Sequence, residues 1–135
     1  MEREMERFLR HVAGAKPHPC YLRTTAWEPP VNVYLTTKAV VVIAELAGAD
    51  KETLEVSVED DLLIIRGCRD EPQLPDLVNH YQVEMHFGKL ERRVPLPRSV
   101  RAEATTASFQ QGLLQVTVPL AQPRTLKVET ESEVK

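Results

Sequence analysis

The sequence predicts an all-β domain, an antiparallel sandwich of two sheets. Three observations carry that prediction. About seven short runs alternate apolar and polar residues with the period of a half-buried strand. Turn-forming residues separate most of these runs. No long helical pattern interrupts them, which argues against a parallel sheet of βαβ units.

The runs follow in order. VNVYL puts Val31, Val33 and Leu35 on one face. VVVIAEL, Val40 to Leu46, is dense in β-branched residues and reads as a strand buried on both sides. LEVSV puts Leu54, Val56 and Val58 on one face, and Asp60-Asp61 turns the chain into LLIIRG at Leu62. KLERRVPL, TASF and LLQVTV complete the set. That count suits an immunoglobulin-like antiparallel β-sandwich over residues 27–119.

Three segments stand outside this rhythm. Residues 1–26 form an N-terminal arm, in which Met1, Met5, Phe8, Leu9 and Val12 make one helical stripe. Glu6 and Arg10 are spaced to pair, and Gly14, Pro17 and Pro19 end the helix. So short a helix is marginal alone in water, so its stripe docks, on its own domain or on another chain, or the helix frays. Residues 68–85 are too long for a hairpin turn, and loops of that length are usually functional or disordered. This one carries a strand-like run, LVNHYQV, after Pro72 and Pro75. Residues 120–135 form an extended C-terminal tail, where Pro119 and Pro123 exclude a regular helix and Leu126 and Val128 point the same way.

Composition narrows the function classes. The chain has 135 residues, enough for one domain with its own core. A net charge of −3 does not suggest electrostatic capture of nucleic acid. The longest clear apolar run, Ala39 to Ala44, is far too short to cross a membrane, and the N-terminus has no apolar signal core. Cys20 and Cys68 form no CxxC motif and no disulfide framework, so a reducing cytoplasm is the simplest setting.

Catalytic patterns are not found. GxSxG, HExxH, the P-loop and GxGxxG are missing, so neither an enzyme nor a nucleotide site is expected. His11, His18 and Cys20 match no standard zinc spacing. His80 and His86 read as surface or interface histidines, and Cys68 as a small apolar residue at a strand end. The expectation is no catalytic residue, no cofactor and no metal.

Arg92 is the anomaly. Leu90, Val94 and Leu96 share one face of their strand, and Arg92 falls in their register. A charge there either snorkels to water or meets a carboxylate such as Glu84, Asp70, Glu71 or Asp76.

Taken in order, several stretches resemble one family. Trp27-Glu28-Pro29 precedes the first strands, and Ala44-Glu45-Leu46-Ala47-Gly48 stands where the family has AELPG. LLIIRG, HYQVEMHFGKLERRVPLP and ASFQQGLLQVTVPL follow at the family's spacing. The chain is similar here to the α-crystallin domain of small heat-shock proteins of the bacterial or archaeal type. It departs at Ala47 for proline, Leu90 for phenylalanine and Leu120 for lysine.

The resemblance implies an ATP-independent holdase chaperone that binds partly unfolded clients. It implies a homodimer by strand exchange, with the stretch Val78 to Val83, including His80 and Tyr81, pairing with Val31, Val33 and Leu35 of a second copy. Arg92 then makes an ionic contact near that interface, with Glu84 one candidate. Leu126 and Val128 match the tail motif, whose groove would be lined by Leu54, Val56, Val58, Ala107 and Phe109. Such docking implies a larger homo-oligomer, and Met5, Phe8, Leu9 and Val12 would serve clients or assembly. A competing reading is a CS-type co-chaperone or scaffold that docks one specific partner.

Overall fold

Alternation along the chain becomes seven strands: β1 (Val31–Leu35), β2 (Ala39–Glu45), β3 (Glu55–Glu59), β4 (Leu62–Arg69), β5 (Gly88–Pro95), β6 (Thr106–Gln110) and β7 (Leu113–Pro119). The computed structural model describes residues 25–122 and 127–129. Its strands form two antiparallel sheets, β1-β2-β7-β6 and β3-β4-β5. The expected arm helix, with Met5, Phe8, Leu9 and Val12, lies outside the described residues.

Two hairpin turns are set by residue type. Asp60 and Asp61 have φ of 50° and 60° between β3 and β4, and Gln111 and Gly112 have 52° and 78° between β6 and β7. Two successive positive φ values match the right-handed twist of paired strands, and Asp and Gly accept that conformation most readily.

The inner faces of the sheets meet in one core. Val40, Val42 and Ala44 of β2 pack with Leu114, Val116 and Val118 of β7, and with Leu63, Ile65, Leu90 and Val94 from the other sheet. Burial on both sides was expected for β2, but Val41 and Ile43 are only half-buried. The reason is that an antiparallel sheet packs one face on the core and turns the other toward water.

The segment between Trp27 and β1 joins both layers. The Trp27 amide donates to the Lys89 carbonyl at 3.0 Å, and the Glu91 amide donates to the Trp27 carbonyl at 3.0 Å. Pro29 is fully buried, and the Glu45 amide donates to the Pro30 carbonyl at 3.1 Å.

One expectation from the cysteines is corrected. Cys68 is disulfide-bonded. Separation along the sequence does not measure distance in a sheet. Cys68 pairs with Lys89 across β4 and β5, and Trp27 binds that same residue from the other side. Cys20 lies outside the described residues.

Candidate functional site

Three features stand outside the core. The first is an open edge. β1 is an edge strand of the four-stranded sheet, and Val33, Tyr34 and Leu35 are exposed along it. Edge strands carry unpaired backbone groups that invite another strand. Opposite in character is the segment between β4 and β5. LVNHYQV forms no strand within the described chain, and Val78 and Tyr81 are 96% and 102% exposed. Leu77, Val83 and Met85 are exposed with them, as is His80. Glu84 accepts a hydrogen bond from Gln82.

The second feature is a cleft. β3 and β6 are edge strands of different sheets, and a cleft of about 290 Å³ lies between them. Val56, Val58 and Ala107, three of the residues the resemblance assigns to a tail groove, line it. Ser57, Ala102, Thr105 and Thr106 line it too, and these were missed. The turn Ala102–Ala104 that supplies one wall has no apolar period to announce it. Leu54 is not in the lining: a Cβ on Gly67 would stand 2.6 Å from Leu54 Cδ2, so this side chain lies over β4. Phe109 instead packs at the margin of the core. Val128 is 84% exposed, so it does not cover its own domain. Leu126 lies outside the described residues.

The third feature is the charged edge at β5. Arg92 stands between Leu90 and Val94 on the core-facing register, yet its side chain keeps 34% of its exposure. Its guanidinium passes over the sheet edge, where Glu28 Oε2 lies 3.9 Å from Arg92 Nη1. Glu28 was not foreseen, because only the Trp27 bridge to Leu90 brings it beside β5. At the adjacent position of the strand, Arg66 Nε donates to Glu91 Oε1 at 2.7 Å, and Arg93 Nε lies 3.5 Å from Glu91 Oε2. Burial by itself pushes the Glu91 carboxyl up, but the Arg66 hydrogen bond and charge, with Arg93, hold it below the usual carboxylate range.

Arg69 closes the base of the long loop. It donates through Nε to the His86 carbonyl at 2.9 Å and through Nη1 to the Ala47 carbonyl at 3.1 Å. Its guanidinium sits 4.4 Å from the Trp27 ring centre and 5.3 Å from that of Phe87. His86 stacks on Trp27 at 5.9 Å. Such cation–ring contacts add to the two hydrogen bonds. His86 is exposed, in keeping with a surface or interface histidine, but sequence reading missed this cluster, since four separate segments supply it.

Among the described residues, no cluster of His, Cys, Asp and Glu could hold a metal ion. Nor is any helix among them long and apolar enough to cross a membrane. What the geometry offers is an open strand edge at β1, a cleft of mixed polar and apolar lining between β3 and β6, and an exposed apolar loop.

Known proteins share this fold. The model of the Hsp20/alpha crystallin family matches residues 33–134. Small heat shock protein C2 of Rickettsia felis is 25% identical over 104 residues, covering 76% of this chain and 68% of that protein. The 18.8 kDa class II heat shock protein of Ipomoea nil is 35% identical over 109 residues, covering 78% of this chain and 65% of that protein. Among solved structures, hspA from Xanthomonas axonopodis is 29% identical and superposes with a TM-score of 0.64, over 71% of this chain and 96% of that one. Sequence and fold agree, and the chain belongs to the Hsp20/alpha crystallin family, that of the small heat shock proteins.

Proposed function

We propose that this chain is an ATP-independent holdase chaperone, acting on partly unfolded proteins without catalysis or cofactor. Family membership implies a chaperone role. The observation that carries the holding mechanism is the separation of a closed core from apolar groups left outside it. Val33, Tyr34, Leu35, Leu77, Val78, Tyr81, Val83 and Met85 are all exposed. Adaptable apolar surface binds many clients without a shaped pocket.

In an assembly β1 and the loop run are covered by each other, and clients then meet the arm stripe of Met5, Phe8 and Leu9 and the cleft that the tail vacates. In this reading the stretch Val78 to Val83 adds to β1 of a second copy, and the exchange is returned, giving a two-fold dimer. Arg92 then meets a carboxylate of that copy, Glu84 among the candidates. Leu126 and Val128 dock in the β3–β6 cleft of a neighbour. Two buried aliphatic side chains supply roughly 3–6 kcal/mol gross, less the cost of ordering the tail, so single tails bind weakly and several hold through effective concentration.

The test is light scattering from a heat-labile client, with this protein added, no nucleotide, and an inert protein as control. Suppression near an equimolar subunit ratio supports the holdase. A folded protein that suppresses nothing overturns it in favour of a co-chaperone docking one specific partner. Deleting residues 1–19 should weaken protection, and unchanged protection removes the arm from the client surface.

A further inference from the structure

We infer that Arg69 is a positioning residue for strand exchange: its guanidinium fixes the root of the loop that one copy gives against the root of the edge strand that receives the other copy's loop. The inference rests on the strand-exchange reading above and deepens it.

Both ends of the long loop meet at one place. Arg69 ends β4, Gly88 opens β5, and the two are paired across the ladder. Gly88 has a φ of 95°, so the chain re-enters β5 through a conformation that side chains disfavour. The Arg69 guanidinium reaches over this closing pair. Its Nε and Nη2 both donate to the His86 carbonyl, the first at 2.9 Å, and Nη1 donates to the Ala47 carbonyl at 3.1 Å. The returning end of the loop is thus gripped by the residue from which the loop departs, and both are fastened to the turn after β2. A planar fork of donors suits this task, where an ammonium would act as a point charge.

The receiving side is held by the same group. The guanidinium lies 4.4 Å from the Trp27 ring centre and 5.3 Å from that of Phe87, and His86 stacks on Trp27 at 5.9 Å. The Trp27 indole N–H is buried with no hydrogen-bond partner among the described residues, so ring contacts position the side chain. Trp27 is bonded through its backbone to Lys89 and Glu91, and four residues later Val31 opens β1. The segment that leads into the open β1 edge and the segment that leaves toward a second copy are therefore fixed against each other.

Beyond this grip the run is bare. Val78, Tyr81 and Val83 are exposed, and LVNHYQV forms no strand in the single copy. Such a run must be ordered when it adds to another strand, and a base already fixed leaves fewer residues to order. Each residue freed at the base would weaken association by roughly tenfold. Ala47 and His86, which accept the hydrogen bonds of Arg69, are exposed and lie outside the buried core, so the grip adds little to the domain itself.

The test uses the full-length chain with Arg69→Lys, which keeps the charge, and Arg69→Met, which keeps only the stem. Both retain the packing of the stem along Gly48, where an added Cβ would stand 3.4 Å from Arg69 Cδ. Sedimentation velocity over a dilution series reads the concentration at which the dimer separates, and it should rise at least about tenfold in both variants. Emission from Trp27, the chain's 1 tryptophan, should change with it. Domain stability is read separately, with Val78→Asp and Tyr81→Asp added so that single copies remain. There Arg69→Lys should leave the urea midpoint within error. A weaker dimer matched by an equal loss of domain stability would make Arg69 a stabilising residue only and overturn the inference. Unchanged dissociation, in a dimer that the two aspartates do break, would overturn it and leave strand exchange standing. A dimer that survives both aspartates would overturn the strand-exchange reading, and this inference with it.

Discussion

Gly112 lies against Ala47 so closely that a Cβ on Gly112 would stand 2.9 Å from both Ala47 Cα and Ala47 Cβ. Its φ of 78° adds a second constraint, since side chains disfavour that region. The contact pins the β6–β7 turn to the end of β2, where the Leu46 amide donates to the Gly112 carbonyl at 2.8 Å. Gly112→Ala is expected to cost about 2–4 kcal/mol, from backbone strain and overpacking together. Urea unfolding checks it through a lower midpoint with unchanged slope.

The Arg66–Glu91 pair gives a pH dependence of definite sign. The folded Glu91 carboxyl lies below its ordinary value of 4.5. Its stabilising share is therefore complete above that value and is lost as pH falls through the depressed folded one. Glu91→Gln should lower stability by about 1 kcal/mol at neutral pH. The variant's stability should also fall less steeply below about pH 4.5. Thermal unfolding across pH 3–7 reads both, and parallel curves for the two proteins would refute the assignment.

Elements whose signal is local were legible in the sequence. The runs that became β5 and β7 carry their buried residues, Leu90 and Val94 and then Leu114, Val116 and Val118, by alternation, and Asp60-Asp61 marked its own turn, whereas β1 leaves Val33 and Leu35 exposed despite its period. What escaped depends on which segments meet. Glu28 reaches Arg92 only because Trp27 bridges β5, and Arg69 joins Trp27, Phe87, His86 and Ala47 from distant positions. The Cys68 disulfide was lost for the same reason. In the cleft, Val56 and Val58 could be read from their period, whereas Thr105 and Thr106 had none to read.

If Val78 to Val83 pairs with β1 of a second copy, charge on that run should break the dimer and spare the domain. Val78→Asp with Tyr81→Asp removes two side chains that are wholly exposed in the single chain, so domain stability should change by less than about 0.5 kcal/mol each. Sedimentation velocity should show a shift to monomers. A dimer that persists at micromolar concentration would move the interface elsewhere.

The tail motif calls for a different readout. Val128→Ser should reduce large assemblies to smaller species, losing about 1.5–3 kcal/mol gross per tail. Ala107→Trp, which fills the cleft from the other side, should do the same. Light scattering coupled to size exclusion distinguishes this from unfolding.

Arg92 separates two kinds of ion pair. Glu28 is 74% exposed at its side chain, so Glu28→Gln should cost less than about 1 kcal/mol. If Arg92 meets a carboxylate across the dimer, Arg92→Ala should cost about 3–5 kcal/mol of dimer stability, far more than that single change. A double-mutant cycle with Glu84→Gln would report coupling there, and additivity would exclude Glu84.

The clasp formed by Trp27, Pro29 and Pro30 has a mechanical consequence. Trp27 hangs on β5 of one layer, and four residues later Val31 opens β1 of the other. Force arriving from the N-terminal side is borne first by the two hydrogen bonds to Lys89 and Glu91 and by the Arg69 face of the indole. Only after these yield does it load the β1–β2 ladder. Peeling the clasp would uncover Pro29 and the Trp27 side of the core, so strain at this link reaches the hydrophobic interior before the ladder is loaded.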